Sequence, residues 1–146
     1  MEYRQGNFGR VLIARVDHGD DLLAGLRDLV TAEKLEAAIV YIIGALRTAD
    51  IVLGPKECVV PPDPVWHRIE GGYEVVGIGT VYSGDDGPEI HLHASAGRQM
   101  TSVTGCIRKE FEAYLVVEMI VIEIVGTGVR RRLDPASGLN LPFFSA

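Results

Sequence analysis

The spacing of apolar and polar positions changes several times along the chain, and each change marks an element. Arg10 to Val16 (RVLIARV) is a short β-rich run closed by the turn-forming His18-Gly19-Asp20. Beyond it Leu22, Leu23, Leu26, Leu29, Val30 and Leu35 recur at helical spacing, with Asp20 and Asp21 suited to the helix start. This predicts one amphipathic helix whose apolar stripe faces a sheet.

The rest of the chain reads as strands. Ala37 to Leu46 is almost continuously apolar, and its Gly44 implies a bulge or a close backbone approach. Thr48 to Leu53 reads as the partner strand, and Gly54 to Gly72, with four prolines, as a surface excursion around a short strand. β-like sequence returns from Tyr73 to Val81, and Ser83 to Pro88 is a strong turn signal. Glu112 to Val125 is the longest apolar run and reads as one or two central strands, with Glu118 and Glu123 as interior charges. Many strands, one helix and no βαβ alternation predict an α+β domain with a mixed, largely antiparallel sheet spanning residues 1–146. No glycine-rich phosphate loop is present.

Composition narrows the function classes. The chain is 47% hydrophobic and 23% charged, outside the disordered range. A formal charge of -6 repels phosphate backbones on average, so nucleic-acid contact would need a local basic patch. The only basic cluster, Arg130 to Arg132, reads as a solvated strand end with Arg131 facing away from its neighbours. No stretch reaches the ~20 apolar residues of a membrane span. The first residues do not read as a secretory signal, so Cys58 and Cys106 are expected as reduced thiols in the cytoplasm, with the role of Cys58 left open.

One pattern carries chemistry. In Glu89-Ile90-His91-Leu92-His93-Ala94 the two histidines are two apart on a strand and project from one face. Two imidazoles make half a metal site, although such a pair also serves packing or solvation. Cys106 follows His93 by thirteen positions, and Gly97 and Gly105 ease a turn that would bring its sulfur back as a third donor. With three ligands a fourth position stays open unless Glu118, Cys58 or a neighbouring subunit fills it. His18 and His67, in a turn and in the proline-rich segment, are assigned no role. Tyr41, Trp66 and Tyr73 are candidates for a pocket lining or the core.

Taken together these motifs resemble the plant and prokaryote conserved family known as PPC or DUF296. The resemblance rests on His18-Gly19-Asp20-Asp21-Leu22-Leu23, Ile43-Gly44-Ala45-Leu46, His91-Leu92-His93, Thr104-Gly105-Cys106-Ile107, Glu118, and Arg132 to Leu139. It implies a sheet curved into a half-barrel with a flanking helix, a homotrimer, and a DNA-binding or regulatory assembly role. Some prokaryotic members complete a three-histidine metal site at the position held here by Cys106. A divalent metal, zinc, on His91, His93 and Cys106 is therefore expected, with loss of the site as the other reading. Glu118 stands where the family has a glutamate and is a candidate base or partner of a ligand. The fold is similar to acetolactate decarboxylase, so the alternative is a metal-dependent enzyme acting on a small molecule. The chain lacks an Arg-Gly-Arg-Pro hook for the DNA minor groove.

Overall fold

The computed structural model describes residues 1–144, and the last two positions of the expected 1–146 domain lie outside the described residues. The elements run β1 (Asn7–Asp17), α1 (Leu22–Ala32), β2 (Ala37–Pro55), β3 (Pro64–Ser83), β4 (Pro88–Arg98), β5 (Thr101–Val125), β6 (Val129–Asp134) and β7 (Leu139–Phe144). One helix and one seven-stranded mixed sheet form the expected α+β architecture. Every strand pairing is antiparallel except a single parallel contact between Ser83 of β3 and Arg130 of β6.

Four strands pair in a closed circuit: β2 with β3, β3 with β4, β4 with β5, and β5 with β2. The sheet therefore closes into an uneven ring where a half-barrel was expected. The cause is the length of β5. Its first residues, Thr101 to Ile107, pair with β4, while Cys106 onward pairs with β2 as far as Glu123. β1 extends the sheet on the other edge of β5, and the β6–β7 hairpin hangs from β3.

Three strand boundaries differ from the sequence pattern. Thr48 to Leu53 continues β2 and does not form a partner strand. Arg47 sits at a register shift, with Leu46 opposite Ala113 and Thr48 opposite Glu112, and its Nη1 donates to Glu112 at 3.0 Å. Such an irregularity interrupts the apolar periodicity without ending the strand. β3 begins at Pro64, within the proline-rich segment, because its charged residues are satisfied across the sheet: Arg68 bridges Asp50 at 3.2 Å and Glu110 at 2.7 Å. β5 likewise starts at Thr101, eleven residues before the apolar run, because the β4 hairpin pairs its polar beginning.

α1 starts as predicted, with Asp21 Oδ1 accepting from the Ala24 amide at 2.8 Å. Its Leu22, Leu26 and Val30 are buried in one cluster with Leu46, Ile51, Ile69, Leu92, Phe111, Val117 and Val121 from the sheet. Burying side chains of this size contributes about 1.5–3 kcal/mol each. Gly44 supplies the expected close approach: at φ 149° its bare Cα lies against the Val116 carbonyl, where a Cβ would collide. Among the described residues no helix is long and apolar enough to cross a membrane.

Candidate metal centre

Alternation along β4 sends Leu92 and Ala94 into the core and leaves His91 and His93 on the outer face of the ring. The β4–β5 hairpin turns at Gln99-Met100, and its register sets His93 directly opposite Cys106. Gly105 keeps this corner tight, since a Cβ there would strike the carbonyl of Val52 on β2. The Nε2 atoms of His91 and His93 are 3.1 Å apart, and the donor atoms of His91, His93 and Cys106 all lie within 4.8 Å of one another. Donors bound tetrahedrally to zinc at 2.0–2.3 Å stand roughly 3.3–3.8 Å apart, a spacing that lies inside the range these three donors span.

Protonation favours ligation at His91 and opposes it at Cys106. Burial holds His91 down to about 4, aided by the charges of Arg131, His93 and Arg108, so its imidazole is neutral and has one unprotonated ring nitrogen. Burial pushes the Cys106 thiol up, while Arg108 and Arg131 oppose that rise. A metal ion would displace the thiol proton on binding.

Glu118 is not brought to this cluster. It is exposed on β5 opposite Ile43 of β2 and Arg15 of β1, twelve residues beyond Cys106 on the same strand, and stands outside the cluster. Cys58 is exposed between β2 and β3 and stands outside the cluster. His18 accepts the Leu115 amide on Nδ1 at 3.1 Å and so braces a residue at φ 60°. His67 is exposed on β3.

The basic cluster departs from the expected solvated strand end. Arg131 does face away from its neighbours, but the β6–β7 hairpin lays it against the outer face of β3, where it is 7% exposed. Its Nη1 donates to the Asn140 carbonyl at 2.8 Å, its Nη2 to Thr80 Oγ1 at 3.3 Å, and its guanidinium lies over Tyr82. Thr80 is the cross-strand neighbour of His91, so Arg131 reaches the edge of the histidine pair. Arg108, two residues after Cys106 and on the same face, was also missed; nothing local in the sequence joins either arginine to the histidines.

Two clefts flank the centre. One of about 370 Å³ is lined by His91, Glu89, Arg108, Arg131 and Asn140. The other, of about 580 Å³, is lined by His93, Cys106, Val52, Pro62, Pro64 and Trp66. Trp66 thus takes the pocket role, whereas Tyr41 is exposed on the outer face.

The chain is similar to several known proteins. The profile of the Plants and Prokaryotes Conserved (PCC) domain matches residues 3–125. No curated protein matches the chain. A metal-containing protein of Archaeoglobus fulgidus superposes with a TM-score of 0.85 at 25% identity, covering 97% of this chain and 98% of its own. A plant- and prokaryote-conserved (PPC) protein of Pyrococcus horikoshii gives 0.83 at 26% identity, over 100% and 98%. A protein of Ralstonia eutropha, provisionally described as DNA-binding, shares the fold at 0.76 and 18% identity, over 91% and 90%. With the family profile spanning β1 to β5 and the candidate donors inside it, the chain belongs to the Plants and Prokaryotes Conserved domain family.

Proposed function

We propose that the protein is a divalent-metal-binding member of this family that holds zinc through His91, His93 and Cys106 and works as a homotrimer. The observation that carries the metal reading is the convergence of two imidazoles and one thiol within 4.8 Å. Mixed nitrogen and sulfur donors favour zinc over hard, oxygen-seeking cations. The similar protein of A. fulgidus is described as metal-containing, which supports the reading. A thiol ligand must stay reduced, in keeping with a cytoplasmic setting. Elemental analysis of the purified protein and of His93→Ala tests the site. One zinc per chain, lost in the variant, is expected; an unchanged metal content defeats the assignment, and no uptake after zinc addition defeats metal binding.

Self-association is supported by the outer face. Ile13, Ile120, Tyr41 and Ile78 form one cross-strand row that ends at His93, with Ile43 and Val76 in the next row, and all six are exposed. A contiguous apolar surface of this kind marks an interface. Light scattering should give three chains for the native protein and one for Ile43→Glu/Ile78→Glu; a native monomer would refute the trimer.

A metal-dependent enzyme acting on a small molecule is the second reading, favoured by the clefts on both sides of the centre. When bound, the ion would supply Lewis acidity or lower the pKa of a water in the open fourth position. Around it the chain's own residues would exclude water and orient a ligand. DNA binding rests on the provisional description of relatives such as that of R. eutropha and is opposed by the net charge of -6. Affinity measured across a salt series, with a steep slope and tight binding, would reverse that judgement.

A further inference from the structure

The wall of the smaller cleft holds more positive charge than its own residues neutralise. Arg131 is 7% exposed, yet its acceptors are both neutral, and its Nε–H finds no acceptor among the described residues. A buried guanidinium without a carboxylate is costly. Arg108, on the same cleft, makes no hydrogen bond or ion pair within the described chain. The one acid on that wall is Glu89, whose Oε1 accepts from Asn140 Nδ2 at 2.8 Å. If the centre holds a divalent ion through a single thiolate, as proposed above, the local charge becomes more positive still.

The second half of the argument is spatial. Arg108 and Leu139 line both clefts, so the charged wall passes directly into the apolar one formed by Val52, Pro62, Pro64 and Trp66. An inorganic oxyanion would satisfy the first and leave the second unfilled.

We propose that the joined clefts bind a small carboxylic acid with a branched or aromatic body. Its carboxylate lies between Arg108 and Arg131 beside His91, and its apolar part packs on Trp66 and the prolines next to Cys106. A guanidinium fork matches a carboxylate in both geometry and charge. The inference rests on the metal reading only for the extra charge, because both arginines belong to the chain.

Calorimetry with 4-methylpentanoate, its uncharged amide and inorganic phosphate, on zinc-loaded and metal-free protein, tests this. The acid should bind at least about tenfold more tightly than the amide or phosphate, and Arg108→Gln and Arg131→Gln should each weaken it about tenfold with zinc content unchanged. Arg108 is exposed, so its variant keeps the test valid if Arg131→Gln fails to fold. Arg131→Lys, which keeps the charge and loses the fork, should fall between. Equal binding of acid and amide, equal binding of phosphate, or indifference to Arg108→Gln overturns the proposal. Arginine-dependent binding in a protein that takes no zinc would sustain it and sink the metal reading; zinc uptake with no arginine dependence would do the reverse.

Discussion

The inner and outer faces of the ring are built from the same strands and obey opposite rules. On β4, Leu92 faces inward and is fully buried, while His91 and His93 on either side of it face outward. On β5, Ile107 belongs to the core and Arg108 to the cleft. The inner face is closed by α1 and packed, so it determines stability and tolerates little change in volume. The outer face holds donors, cations and exposed apolar rows, groups that gain little within the isolated chain. Alternation therefore lets one backbone carry two independent selections.

The comparison breaks most visibly if the two faces prove coupled. Phe111→Ala removes the largest fully buried side chain and should cost about 3–5 kcal/mol in denaturant unfolding, with zinc content unchanged while the protein stays folded. His93→Ala should do the opposite: it abolishes zinc uptake but changes the stability of the metal-free protein by less than about 0.5 kcal/mol, because the side chain is exposed. A large loss of stability there would tie the outer face to the core. Cys106→His sharpens the outer face alone. Zinc should still bind, and competition should show a weaker preference for soft ions such as cadmium over zinc than in the native protein.

The smallest effect is expected in acid, at the Arg10–Glu123 pair. Arg10 hydrogen-bonds Glu123 through its side chain and backbone and holds that carboxyl down to about 2. Its folded value lies below the ordinary ~4.3 of an unfolded glutamate, so the contribution is complete above that pH and is lost as the pH falls toward 2. Melting temperatures of native and Glu123→Gln protein should converge over that window. A gap that stays constant would mean the pair is not the cause.

The features legible in the sequence were those set by local periodicity. Helical spacing and Asp21 located α1, and the period of two placed both histidines on one face. The short return from His93 to Cys106 was readable because a hairpin needs only a turn between its strands. Continuous β2 was not readable, since the register shift at Arg47 imitates a strand end. Nor was the burial of Arg131, which depends on the β6–β7 hairpin meeting Thr80, some fifty residues earlier in the chain. The closed ring escaped for the same reason: it needs β2 and β5 to find each other across β3 and β4.

That long-range pairing has a kinetic consequence. β2, β3 and β4 are successive in sequence and pair as successive neighbours, but the circuit closes only when β5 meets β2, with Val52 opposite Cys106 and Ala38 opposite Glu123. Loop-closure entropy makes such a step late and slow. The donor set, in contrast, lies wholly within the β4–β5 hairpin, from His91 to Cys106. Zinc present during refolding should therefore fasten this hairpin before the rest of the sheet is in place and raise the refolding rate, an acceleration that stopped-flow measurements should find missing in His93→Ala.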